Sequence, residues 1–254
     1  MTQVAWNIAV NTIAEHLEIS GKSGRPRIFS PEQLLTLLVH MCKTSQPWSV
    51  LHTKYKTLHR NFRQLTVSGA FLEIQQRISR AYTARRPARH HITDTSYIKN
   101  VLGQDVVGRN HTDRGRLASK LSTVTDDIGV VLLFQLFPGN KSDQKVLPET
   151  FGEYTPPSNI ELFADKGYDS RANRQYICRL GYKDRISKRG QRRMHNGNRK
   201  RIRVEHSFAR IKQFRHLRQR YDRFAESFSS FVVVANVVII DQNLGKLNGP
   251  PVPQ

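Results

Sequence analysis

Cysteine is nearly absent from this chain. Cys42 and Cys178 stand far apart and give neither a disulfide framework nor the C-x-x-C spacing of a structural zinc site. The expected setting is a reducing compartment. Long apolar runs are missing as well. The most apolar stretch, "FVVVANVVII" at 231–240, falls short of the roughly 20 residues that a membrane span needs. The opening "MTQVAWNIAVNTIAEHLEIS" has no early basic residue and carries two glutamates, unlike a secretory leader. Acid is the scarcest commodity: 20 Asp and Glu face 41 Lys and Arg, for a formal charge of +21 over 254 residues. A field of that size draws a polyanion and opposes the compact state by self-repulsion. Nucleic acid is the expected partner, an anionic membrane surface the weaker one.

The apolar pattern divides the chain near residue 87. Up to residue 86 it has helical spacing, in "VAWNIAVNTIAEHL", "SPEQLLTLLVHMC" and three shorter stretches, "SVLHTKYK", "TLHRNFRQLT" and "GAFLEIQQRISRAY". Ser30 suits an N-cap, with Pro31 at the first helical position and Gln33 near the capping-box place. "ARRPARH" at 84–90 reads as a hinge. Beyond it the period falls to two. "HHITDTSYI" reads as a strand, and "ASKLSTVTDDIGVVLLFQLFP" as a hairpin turning at "DDIG". Ser142 and Asp143 offer a cap for a helix over 144–152. "NIELFAD" and "YKDRIS" suit short strands around a helix that closes at Gly181, and a further helix covers about 199–216. The order β, β, β, α, β, α, β, α predicts a mixed sheet with helices on its faces. The expected domains are 1–86 all-α, 87–244 α/β, and a disordered tail at 245–254.

Three acids hold distinctive positions. Asp94 lies within the first strand, Asp165 closes a short apolar strand, and Glu205 sits alone among bases in "RKRIRVEHSFARIKQFR". Acids at strand ends in α/β sheets project where chemistry gathers. On its helix Glu205 shares a face with Arg201, Phe208 and Lys212. Carboxylates brought together repel unless cations lie between them, and hard oxygen ligands suit magnesium or manganese. Two such ions suit in-line phosphoryl displacement. Plainer readings compete: a strand aspartate bonding Thr95 or Ser96, a turn residue in "DKGYD", and a surface ion pair with Arg201 or Arg210. Asp126 and Asp127 read as hairpin-turn residues and Asp169 as a helix cap. His90 and His91 read as a DNA-facing or solvated pair, and Trp48 as core. Spacing alone does not choose three acids from twenty.

"HHITDTSYI", "LFADKGYDSR" and "RIRVEHSFARIKQFR" together resemble the acid-bearing motifs of DDE transposases of the bacterial insertion-sequence type, a group related to the PIF/Harbinger elements. The likeness extends through "GRNHTDRGRLASKLSTVTDDIGVVLLFQLFPGNKSD" and, in the N-terminal part, "PWSVLHTKYKTLHRNFRQLTVSGAFLEI". It implies a ribonuclease-H-like core, with Asp94, Asp165 and Glu205 as catalytic residues holding two magnesium or manganese ions. It also implies an N-terminal helical DNA-binding region. Arg201, Glu205 and Lys212 match the family's helical motif, whereas Asn198 stands where a tyrosine is usual. Asp143 matches an acid often present in the family.

Fifteen Lys or Arg against two acids between Lys183 and Arg220 read as phosphate contacts. Expected DNA-binding residues are Arg201, Arg203, Lys212, Arg215, Arg192 and Arg193. "GRPR" at 24–27 adds Arg25 and Arg27 as a minor-groove arm or a plain linker. The helices over 47–66 suit a helix-turn-helix or a structural bundle. The expectation is metal-dependent cleavage at element ends and strand transfer into target DNA, on double-stranded terminal repeats and target, by a homo-oligomer. The competing expectations are a DNA-binding protein without activity, or a nuclease that cuts without joining. The expected location is cytoplasm or nucleoid, or the nucleus of a eukaryotic host, without a membrane.

Overall fold

The structure, a computed structural model, describes residues 3–19, 27–152, 154–157, 159–190 and 195–247, the last span by backbone alone at 195–201 and 247. The chain forms two compact units. One comprises Met1–Arg86, Ile211–Leu217 and Glu226–Gln254; the other comprises Pro87–Arg210 and Arg218–Ala225.

The first unit opens with helices α1 (Val4–Ile19), α2 (Pro31–Thr44), α3 (Trp48–Leu51), α4 (Tyr55–Val67) and α5 (Ala70–Arg85). Each longer helix buries one stripe: Ala5, Ala9, Ile13 and Leu17 in α1, Leu58, Phe62 and Leu65 in α4, Phe71, Ile74, Ile78 and Tyr82 in α5. The expected capping box starts α2. The Ser30 hydroxyl accepts from the Gln33 amide at 3.1 Å, and the Ser30 amide donates back to the Gln33 side chain at 2.9 Å.

The second unit is a mixed sheet flanked by helices. Its strands are β1 (His90–Asn100), β2 (Gly108–Asn110), β3 (Arg116–Thr125), β4 (Val131–Pro138), β5 (Glu161–Ala164), β6 (Lys183–Ile186) and β7 (Gln219–Arg220). The order is β2-β3-β1-β5-β6, with β4 also paired to β3 and β7 to β1. β1, β3 and β4 run antiparallel, while β5 and β6 continue from β1 in parallel. Helices α6 (Asp143–Phe151) and α7 (Arg171–Arg179) bring Leu147, Phe151 and Ile177 onto Val124, Leu162, Ala164 and Ile186. Helix α8 (His195–Gln213) starts in this unit and ends in the first. The short strands β2 and β7 have no apolar alternation to announce them.

Helix α9 (Ala225–Leu247) returns to the first unit. The division therefore differs from the expected runs 1–86, 87–244 and 245–254, and the reason is what α9 meets in the first unit. Phe231 of α9 stacks on Phe62 at 4.9 Å, and the Asp241 carboxylate accepts the Ala5 amide of α1 at 2.9 Å. "FVVVANVVII" is only the middle of this helix, which is long and apolar enough to cross a membrane by length and composition. Yet 78% of its apolar window is buried inside the protein, as in a core helix. The helix includes 245–247 of the expected tail; the remainder of that tail lies outside the described residues.

Candidate active site

The β1–β5 register sets the first relationship. His90, His91 and Ile92 lie level with Glu161, Leu162 and Phe163. Two steps further along both chains Asp94 comes level with Asp165, whose backbone is still extended at φ −74° and ψ 166°. Neighbouring strands lie about 4.8 Å apart, and level residues of a parallel pair face the same side. Asp94 and Asp165 are thus brought side by side. Both are half-buried and both are oriented alike: Oδ1 of Asp94 accepts the Thr95 amide at 2.8 Å, and Oδ1 of Asp165 accepts the Lys166 amide at 2.7 Å.

Glu205 sits exposed on α8, between Val204, which is buried, and His206, which is exposed. The helix is seated on the β3–β4 turn. Gly129, at φ +83°, approaches so closely that a Cβ there would lie 2.5 Å from the Arg203 carbonyl oxygen. Val204, Ser207 and Phe208 face inward around this contact. Among the described residues no set of three or more His, Cys, Asp or Glu stands ready to hold a metal ion. The β1–β5 register brings the two strand acids level, and no group of three that includes Glu205 is found among the described residues.

A second polar system lies beside the pair. The Asp143 carboxylate does not cap α6. Its Oδ1 accepts from the Lys120 ammonium at 2.9 Å and from the Thr95 hydroxyl at 3.4 Å, and Ser142 makes no side-chain capping bond either. Tyr168, fully buried nearby, has its phenol pKa raised by burial and then by the charges of Asp94 and Asp143. Lys120 did not emerge from the sequence, and Thr95 entered it only as a bonding neighbour of Asp94. The available signal was a lone lysine inside the strand "LASKLSTV".

Other expectations need revision. His91 is neither solvated nor turned to a ligand: it is 1% exposed and shares a 2.7 Å hydrogen bond with the Tyr182 hydroxyl. Burial, then the neighbouring His90, lowers its pKa to about 4. Asp169 does not cap α7. Ser170 does, accepting the Asn173 amide at 3.1 Å, while the Arg189 amide and Arg174 hold the Asp169 carboxyl below its usual range. Asp126 and Asp127 do occupy the hairpin turn. Asp126 accepts the Ile128 and Val130 amides, and Asp127 accepts the Arg89 amide. Trp48 is half-buried against His59, Phe62 and Phe231.

The basic residues divide. Arg203 and Arg215 are exposed. Lys212 is half-buried, and burial lowers its ammonium pKa. Arg27 donates to the Leu17 carbonyl at the end of α1. Arg25, Arg192 and Arg193 lie outside the described residues, as do the side chains of Arg201 and Asn198. Arg220 departs most from the phosphate-contact reading. It is fully buried, paired with Asp105, and bonded to the Asp105 carbonyl at 2.7 Å and the Ser119 hydroxyl at 2.9 Å.

Residues 87–237 match the family described as transposase DDE domain. A putative transposase for insertion sequence element IS402 from Burkholderia cepacia is 30% identical over 139 residues. The match covers 51% of this chain and 66% of that relative, just under two thirds of its length.

Proposed function

Because the chain belongs to the transposase DDE-domain family, we propose that it cleaves phosphodiester bonds at the ends of a DNA element and joins the freed 3′-hydroxyl to target DNA. The single observation that carries this reading is the parallel β1–β5 register, which, continued two residues past Ile92 and Phe163, brings Asp94 level with the extended Asp165 just beyond β5. Two carboxylates at that spacing are a hard oxygen donor set, which fits magnesium or manganese. Asp94 and Asp165 would hold the ions, with Glu205 as the third acid. Such ions would supply Lewis acidity at the scissile phosphate and for the attacking oxygen.

The chain's own residues do the rest. The Thr95 and Lys166 amides keep the two carboxylates oriented, which limits the freedom lost when a ligand binds. Gly129 seats α8 on the hairpin and so fixes where Glu205 is presented. Like charges repel, so Glu205 joins the strand acids only where positive charge accompanies it. Arg203, exposed on the same helix, contributes to holding the DNA backbone without selecting sequence. Water and a DNA hydroxyl are equivalent nucleophiles to such a site, so one centre serves both cleavage and joining.

The test uses purified protein, labelled element ends, magnesium and a target plasmid. Asp94→Asn, Asp165→Asn and Glu205→Gln should each lower cleavage by more than the about 10–100-fold that loss of a ligand's supporting partner costs, with DNA binding retained. Cleavage at the wild-type rate in any one of them removes that residue from the set. Cleavage without joined product makes the protein a nuclease, and binding without cleavage makes it a DNA-binding protein alone.

A further inference from the structure

Thr95 connects two polar systems across strand β1. Its amide holds the Asp94 carboxylate, while its hydroxyl reaches Asp143 on the other face of the strand. Asp143 in turn meets the turn after Asp165. Its Oδ2 lies 3.0 Å from where a Cβ on Gly167 would stand. One carboxylate therefore touches the residue after the first acid and the residue two beyond the second. That carboxylate is itself held by Lys120, whose side chain is 5% exposed. The ammonium also donates to the Lys141 carbonyl at 2.7 Å and lies 5.2 Å from the centre of the Tyr97 ring.

A buried lysine in a strand is an expensive choice. Desolvating the ammonium costs several kcal/mol, and a buried ion pair often stabilises no better than apolar residues of the same volume. What such a pair does confer is a defined geometry. Lys120 allows Asp143 little movement, and the missing Cβ at Gly167 lets the carboxylate approach the Asp165 turn.

We propose that Lys120 and Asp143 are positioning residues for the two strand acids. Lys120 fixes Asp143, and Asp143 fixes Thr95 and the Gly167 turn, which together set the relation between Asp94 and Asp165. The inference rests on the reading that those two acids hold a divalent cation, and the experiment separates the two ideas.

Manganese alone is the probe, and free Mn²⁺ is followed by electron paramagnetic resonance as it titrates the full chain, without DNA. Asp94→Asn should abolish the tight binding. Thr95→Val, Asp143→Asn and Gly167→Ala should each raise the dissociation constant by about 10-fold or more, the range measured when supporting partners of metal ligands are removed. Thr95→Ser, which restores the hydroxyl, should return it to the wild-type value. Thr95→Val conserves volume, so it reports even if Asp143→Asn fails to fold. If Asp94→Asn loses binding while Thr95→Val and Gly167→Ala bind as wild type, the positioning role is wrong and the cation reading stands. If Asp94→Asn binds manganese unchanged, the cation reading fails and this inference fails with it.

Discussion

His91 lies three residues ahead of Asp94 on β1, and its burial gives it a pH dependence of its own. Its imidazole faces Tyr182, with Tyr154, His90 and Asp127 around it. Desolvation is the largest influence, His90 adds to it, and Asp127 opposes it; the outcome is a folded pKa near 4 against an unfolded 6.5. The fold therefore favours neutral histidine. Its contribution is complete above the unfolded value and is lost as pH falls from about 6.5 to about 4, because the unfolded chain takes up the proton first. The loss should reach about 3 kcal/mol by the lower limit. Urea midpoints measured across that interval should fall less steeply in His91→Gln, which keeps a hydrogen-bonding group and does not titrate. Parallel slopes in the two proteins would show that His91 takes up its proton in the fold at the same pH as in the unfolded chain. Arg220 makes the related point for a permanent charge. Its guanidinium is buried only because Asp105 and several carbonyl oxygens receive its hydrogens.

Among the elements, α8 depends most on a single contact. The turn between β3 and β4 needs a residue at φ +83°, and the Arg203 carbonyl occupies the space where a side chain would begin. Glycine meets both requirements at once. Gly129→Ala forces either the turn or α8 to move, and Glu205 with it. Cleavage should fall at least tenfold while the affinity for DNA changes little, a difference read by comparing single-turnover cleavage with filter binding. Wild-type cleavage in Gly129→Ala would mean that the Gly129 contact does not set the placement of Glu205 that the reaction uses. The α2 capping box and the acceptance of the Ala5 amide by Asp241 are the counterparts in the first unit, where polar groups settle helix ends that packing alone leaves open.

For the whole molecule the governing quantity is the charge of +21. A polyanion bound by such a protein releases its condensed counterions, so affinity falls steeply with salt. Not every base takes part. Arg220 is buried with Asp105, Arg174 pairs with Asp169 and Asp184, and Arg185 pairs with Glu161. Exposed Arg203 is the better candidate for a phosphate contact. Arg203→Ala should weaken binding to unrelated duplexes about equally and reduce the slope of log affinity against log salt by about 0.9. An unchanged slope would remove Arg203 from the interface. The family match spans 87–237 and so runs through segments of both compact units. A boundary drawn from sequence likeness is thus not the boundary drawn by packing.

The amino-acid order alone determined the local features. Period-two alternation announced β1 and the β3–β4 hairpin, helical spacing announced α1 and α2, and Ser30, Pro31 and Gln33 announced where α2 begins. These are legible because each rests on neighbours within a few residues. The three motifs also made the family recognisable and pointed to Asp94, Asp165 and Glu205. Tertiary structure decided everything that needed distant partners. It placed Asp94 level with Asp165, which lies seventy-one positions later in the chain. It moved Asp143 from a cap to an ion pair with Lys120, buried His91 and Arg220, and joined α9 to the N-terminal helices. In each case the energy comes from desolvation and long-range contact. A side chain's residue type fixes what burial would cost it, and only the folded chain decides which side chains are buried and beside whom.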